Sequence, residues 1–255
     1  MRIKLTYQTL NQENLFLPLH YNYLIQGLIY RSLTPKLATE IHQQGFPLGQ
    51  RSFKLFTFSR ILNRGKIIEK NGQKFLIFGS HLSLYFSSSQ NYIVEDLGER
   101  AFHQRETKLG KHSVFLSQIE VLKPPTIDKE LYIRFLSPVT IYSTLRRENG
   151  EKVVHYYRPF EADFSKLMEK NARKKYFLIT GKEGDSLPLS LKPHRFSTQK
   201  NHVVVFFKNT PIEGWTGIFK LEGNPDLIKT TYDAGLGNKN SAGFGMWEIW
   251  REKDD

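Results

Sequence analysis

Apolar and polar residues alternate in the opening decapeptide MRIKLTYQTL, which predicts a strand over Arg2 to Thr9. The period then lengthens. Leu24, Ile25 and Leu28 share one helical face and Pro18 suits a first turn, so a helix is expected from about Pro18 to Ser32. A shorter helix follows, with Thr34 as its cap, Pro35 in its first turn and Gly45 as its stop, which puts His42 in its last turn. Phe53 to Ser59, FKLFTFS, reads as a strand, with its phenylalanines expected in the core and Lys54 outward. Lys66 to Lys70 and Gln73 to Phe78 flank Asn71 and Gly72, the pair that favours a type I′ hairpin turn. His81 to Ser87 is another expected strand, Val94 to Gln104 a helix, and Val114 to Val121 a closing strand.

Lys123, Pro124 and Pro125 cannot continue a central strand and mark a boundary. The expected division is a first domain over residues 1–122, a linker over 123–128 and a second domain over 129–255. The second begins with strand Leu131 to Phe135 and reaches, after a Tyr- and Arg-bearing stretch, a helix from about Glu161 to Lys174. Phe164, Leu167, Met168 and Ala172 recur there at helical spacing, opposite a basic face. Thr180 to Lys200 is expected to be irregular. Strands His202 to Phe207 and Trp215 to Leu221, helix Pro225 to Ala234 and strand Phe244 to Trp250 complete the chain. Each half approximates β-α-β-β-α-β, so the expected fold class is α+β with two tandem ferredoxin-like domains, the arrangement of RNA-recognition modules. The aromatic signature of ordinary RNA-recognition domains is absent, and no residue-level repeat joins the halves.

Charge narrows the partner. Lys plus Arg number 37 against 25 Asp plus Glu, a net +12 that favours polyanions, with nucleic acid ahead of a membrane surface. No apolar run approaches the ~18 residues of a membrane span, and a cytoplasmic location is expected. With no cysteine there is no disulfide and no thiol nucleophile. The eight histidines show no metal-ligand spacing, so neither metal nor cofactor is expected.

The most unusual segment is GLGNKNSAGFGM, Gly235 to Met246. Glycine admits the positive φ angles that let backbone amides converge on an anion, so the loop reads as a phosphate cradle, or as a helix cap followed by a wide turn. It follows a helix and opens a strand, the reverse of a dinucleotide fingerprint, and it lacks the Gly-Lys-Ser/Thr ending of a P-loop.

Together with GLIYRSL, IHQQGF and FKLFTFSRI near the start, the C-terminal string GWTGIFKLEGNPDLIKTTYDAGLGNKNSAGFGMWEI resembles the Cas6 family of CRISPR-associated endoribonucleases, in the RAMP superfamily, over essentially the whole chain. The resemblance implies a metal-independent nuclease that cuts within the repeats of a precursor CRISPR transcript and leaves 2′,3′-cyclic phosphate and 5′-hydroxyl ends. The implied partner is CRISPR repeat RNA. A CRISPR effector complex is a further partner, and the chain itself is expected as a monomer or homodimer.

Such a cut uses the substrate's own 2′-hydroxyl as nucleophile. The protein must remove that proton, protonate the departing 5′-oxygen and offset the charge of the phosphorane. Family members commonly use a His, Tyr and Lys set, and the positions resembling it are His42, Tyr30 and Lys54. At a helix C-terminus His42 suits a general acid, with Tyr30 assisting the 2′-hydroxyl and Lys54 neutralising the phosphorane. The reversed roles stay open, as does Arg51 in place of Lys54. RNA contacts are expected from Arg51, Arg60 and Arg64, from Lys192 and Arg195, and from Gly235, Gly237, Lys239, Asn240, Ser241 and Gly243 of the glycine-rich loop. That loop is expected to hold RNA and not to cut it. The competing function is a non-catalytic RAMP subunit that binds guide RNA.

Overall fold

The computed structural model describes residues 1–70, 72–147 and 149–252. In the first domain the framework is β1 (Arg2–Thr9), α1 (Asn22–Arg31), α2 (Pro35–Gln43), β2 (Phe56–Phe58), β3 (His81–Ser88), α3 (Asn91–His103) and β4 (His112–Val121). Its strands lie in the order β2-β3-β1-β4, all neighbours antiparallel, with a short strand Thr107–Leu109 outside β4. Alternation decides which face is covered. Ile3, Leu5 and Tyr7 of β1 are buried with Leu84 and Phe86 of β3, and the same core takes Ile25, Leu28 and Ile29 of α1 and Ile93, Val94 and Leu97 of α3.

The second domain repeats this plan with β5 (Glu130–Phe135), α4 (Ala162–Thr180), β6 (Leu189–His194), β7 (Ile218–Gly223), α5 (Pro225–Ala234) and β8 (Trp247–Ile249). The sheet order is β6-β7-β5-β8, again antiparallel. Both domains therefore place their framework strands in the spatial order second, third, first, fourth, which makes the chain a tandem of two ferredoxin-like folds. Their cores are separate clusters.

Several elements differ from expectation, each for a local reason. Pro18 does not open α1. It ends a strand, Leu15–Pro18, whose Leu15 and Leu17 are buried against Gln73–Phe78, and the helix begins four residues later. Phe53–Ser59 is not one strand, because Leu55 adopts φ +52. Arg51–Phe53 instead forms a hairpin with Phe46–Leu48, and only Phe56–Phe58 joins the sheet. Helix α4 runs on to Thr180, where Gly181 in the left-handed conformation stops it. The stretch Thr180 to Lys200 holds β6, with Leu189 and Leu191 buried. Trp215 to Leu221 divides at Gly217, φ +106, into the end of Thr210–Trp215 and β7. The last strand is only Trp247–Ile249, and the Tyr- and Arg-bearing stretch is a hairpin of Tyr142–Arg146 with Lys152–Tyr156. In the Lys66–Phe78 hairpin Lys70 faces Gln73, which leaves a two-residue turn; Gly72 has φ +72, and Asn71 lies outside the described residues.

The two domains are joined by buried polar contacts. The Arg2 guanidinium donates to the carbonyls of Trp247 (2.8 Å) and Tyr232 (2.7 Å) and lies 3.6 Å from the centre of the Tyr232 ring. Asn22 donates to the carbonyls of Ala242 and Gly243, Gln26 to that of Ser241, and Thr57 to that of Phe244. The glycine-rich loop is thus wedged against α1 and β2 of the first domain.

Candidate catalytic cluster and the adjoining cleft

Tyr30 stands near the end of α1 and His42 in the last turn of α2, which Pro35 starts and Gly45, at φ +57, closes. Thr34 leads into α2 held by the Asp96 carboxylate of α3, which accepts from its amide (2.9 Å) and its hydroxyl (2.8 Å). The two helices bring the rings of Tyr30 and His42 edge to face, with centroids 5.4 Å apart. Behind Tyr30 lies the Phe56 ring at 5.9 Å. Lys54 follows the hairpin, and its ammonium donates to the backbone carbonyl of His42 (3.0 Å) and to Ser52 Oγ (3.3 Å), while the Ser52 hydroxyl donates to the Gln44 carbonyl. The positive φ of Leu55 lets Lys54 turn toward α2 while Phe56 returns to the core.

Burial sets the ionisation of two of these groups. It pushes the Tyr30 phenol up to about 12, so that hydroxyl keeps its proton at neutral pH. Partial burial lowers Lys54 below the ordinary lysine range. His42 itself is exposed.

Lys54 also lines a cleft of about 550 Å³ between the domains. Arg51 and Ser52 form one wall; Tyr142, Asn171 and the glycine-rich loop form the other. The loop does not offer an open cradle. Asn240 donates to the carbonyls of Leu236 and Phe244, and the loop's own amides at Leu236, Ala242, Gly243 and Gly245 bond to backbone carbonyls. Beneath it, Lys175 of α4 is buried and donates to the carbonyls of Gly235 (2.7 Å) and Gly237 (2.8 Å) and to Asn240 Oδ1 (2.6 Å). Burial pulls this lysine down to about 7.

The residues expected to contact RNA therefore divide. Arg51, Gly237, Lys239, Asn240 and Ser241 line the cleft, and the Lys239 ammonium lies 5.5 Å from the centre of the Tyr142 ring. Gly235 and Gly243 are buried, and a side chain on Gly243 would meet the Phe58 ring at 2.4 Å, so close packing explains both glycines. Arg60 lies over the Tyr21 ring at the domain junction, and its amide donates to the Leu136 carbonyl. Arg64 is exposed on the loop before the Lys66–Phe78 hairpin. Lys192 and Arg195 belong to the far sheet and its edge, where they pair with Glu222 (3.9 Å) and Glu252 (2.5 Å). Tyr142, Asn171 and Lys175 are not among the residues expected at the site. A signal for Lys175 existed, because the apolar spacing Phe164, Met168, Ala172 leads to it and turns a lysine into the core.

The family model for the C-terminal part of CRISPR associated protein Cas6 matches residues 122–249, and that for the N-terminal part of CRISPR-associated protein Cas6 matches residues 16–120. The CRISPR-associated endoribonuclease Cas6 of Pyrococcus furiosus is 29% identical over 239 residues, 91% of this chain and 83% of that protein. A putative CRISPR-associated endoribonuclease-like protein Cas6 of the same organism is 28% identical over 255 residues, 99% of this chain and 100% of that protein. Among solved structures, one from the characterisation of a Cas6-related gene of Pyrococcus furiosus has a TM-score of 0.82 at 24% identity, over 99% of both chains. Two matched stretches, 16–120 and 122–249, on the tandem ferredoxin-like framework already described, place this chain in the family of CRISPR-associated proteins Cas6.

Proposed function

We propose that this chain is an endoribonuclease that cuts precursor CRISPR RNA within its repeats, without a metal ion, by attack of the substrate's 2′-hydroxyl on the adjacent phosphate. The observation that carries this reading is the convergence of Tyr30, His42 and Lys54, from two helices and a hairpin, beside a basic cleft. Bond changes assign the roles. The O2′–H proton leaves, O2′ bonds to phosphorus, the P–O5′ bond breaks and O5′ takes a proton, giving 2′,3′-cyclic phosphate and 5′-hydroxyl ends. A phenol held at about 12 is a poor base, which favours Tyr30 as the donor to O5′ and the His42 imidazole as the acceptor of the 2′ proton. This reverses the order suggested by the helix dipole alone. The two protons then re-equilibrate through solvent. Lys54, with two of its three N–H bonds on His42 and Ser52, has one left to meet a non-bridging phosphate oxygen.

The second reading, a non-catalytic RNA-binding subunit, is favoured by the near-equal likeness to a relative named only endoribonuclease-like. End-labelled repeat RNA incubated in EDTA with the wild type and with His42→Ala separates the two. The nuclease reading expects cyclic-phosphate products from the wild type and a rate lower by ~10²–10⁴-fold in the variant, with RNA still bound. Intact RNA in the wild-type lane, with binding retained, establishes the non-catalytic reading instead.

A further inference from the structure

The catalytic cleft does not end at Asn171. A second depression of about 90 Å³ shares Arg51, Tyr142 and Asn171 with it and adds Lys170 and Lys174. A third, of about 350 Å³, shares Lys170 and Lys174 with the second and extends to Leu48 of the first-domain hairpin and Phe177. The three form one track from Lys54 along the outer edge of α4. Lys170, Lys174 and Phe177 recur at the i, i+4, i+7 spacing, so they sit in line on one helix face about 10 Å long.

The track is basic. Among the described residues, Arg51, Lys54, Lys170, Lys174 and Lys239 all line it and none has a carboxylate within ion-pair distance. Arg173, in the same groove, is bound to Glu169 (3.0 Å) and to the Leu187 carbonyl, so it is taken up by the fold. Lys192 and Arg195 on the far sheet are paired as well. Unpaired cations along one continuous groove, with an exposed aromatic ring on the same helix face as Lys170 and Lys174, suit a strand of phosphates followed by a base, since every base has a face to stack. Glu183 and Asp185 line the third depression too, beside Gly184, which packs against Tyr176 and Arg173, so a polyanion is held to the side of the groove that carries Lys170 and Lys174.

We propose that the single-stranded RNA on one side of the scissile phosphate runs along α4, with two phosphates on Lys170 and Lys174 and one base on Phe177. The proposal rests on the nuclease reading for its substrate, but not for its test. Affinity is measured against salt with repeat RNA carrying a 2′-deoxynucleotide at the mapped cut, or with unmodified repeat RNA if the wild type proves not to cut. For the full-length Lys170→Gln/Lys174→Gln variant, affinity falls roughly 10- to 100-fold at low salt and the log–log salt slope becomes shallower by about 1.4, two phosphates at 0.7 each. Phe177→Ala lowers affinity about tenfold and leaves the slope unchanged. RNA shortened by the flanking nucleotides from one side of the cut no longer distinguishes the variants from the wild type. A salt slope and affinity unchanged by the lysine pair overturn the track, whether or not the wild type cleaves.

Discussion

The Lys54 ammonium lies 3.0 Å from the carbonyl oxygen of His42, so the cation of the proposed trio is tied to the helix end that carries the imidazole. The side chain therefore reaches the backbone of His42 without RNA. Lys54→Ala removes both this tether and the charge proposed to face the phosphorane. The single-turnover rate is expected to fall by ~10²–10³-fold, comparable to losing one preorganised donor, with the dissociation constant for repeat RNA changed less than about tenfold. A rate loss below tenfold, together with a large loss in Arg51→Ala, would move the electrostatic role to Arg51, which lines the same cleft.

Acid and base can be separated by the leaving group. A thiolate needs no protonation, so RNA with a bridging 5′-sulfur at the cut makes a general acid dispensable. With Tyr30 as donor and His42 as base, Tyr30→Phe cuts the ordinary RNA ~10²-fold more slowly and recovers on the 5′-thio substrate, whereas His42→Ala stays slow on both. The opposite rescue pattern restores His42 as the acid.

Legibility from sequence followed the locality of the cause. Helix Pro225–Ala234 matches its expected bounds because every signal is adjacent: Asn224 accepts from the amides of Asp226 and Leu227, Pro225 fills the first turn and Gly235 stops it. The Lys66–Phe78 hairpin was equally local. Strand β6 was missed because Pro188 and Pro193 bracket a single Leu-Ser-Leu alternation, and its strand character comes from pairing with Leu221 and Phe219 of β7. The glycine-rich loop was the hardest. Positive φ serves an open anion cradle and a tightly packed wedge alike, and what distinguishes them, contact with Asn22, Thr57 and Phe58, lies far away in the chain.

That packing makes Gly243 a stability position. An added Cβ would lie 2.4 Å from the Phe58 ring and 2.7 Å from Asn22 Nδ2, at φ +81, and Phe58 is itself enclosed in the first core. Gly243→Ala should destabilise the protein by about 2–4 kcal/mol, lowering the melting temperature by roughly 5–15 °C. Gly49 provides the control, since it has φ +58 with nothing within 4 Å of the added atom. Gly49→Ala should cost only about 1 kcal/mol. Equal melting shifts in the two variants would mean that conformation, not packing against the first domain, accounts for the glycine.

Lys175 beneath the loop gives stability an unusual pH dependence. Its folded pKa of about 7 lies below the ordinary lysine value of 10.5 that the unfolded chain recovers. Between those values the unfolded state binds a proton that the folded state has lost, so stability rises with pH by about 1.4 kcal/mol per unit at most. Lys175→Met has no such proton and leaves the carbonyls of Gly235 and Gly237 and the Asn240 side-chain oxygen without their donor. Each orphaned acceptor costs ~1–3 kcal/mol, offset by relief from burying a charge, so the variant is less stable at every pH. The difference from wild type should widen between pH 7 and pH 10, as read by urea unfolding at pH 6.5, 8 and 9.5. A difference that stays constant across that range would show that the three acceptors hold the ammonium proton throughout, and that Lys175 supports the loop as a permanent cation.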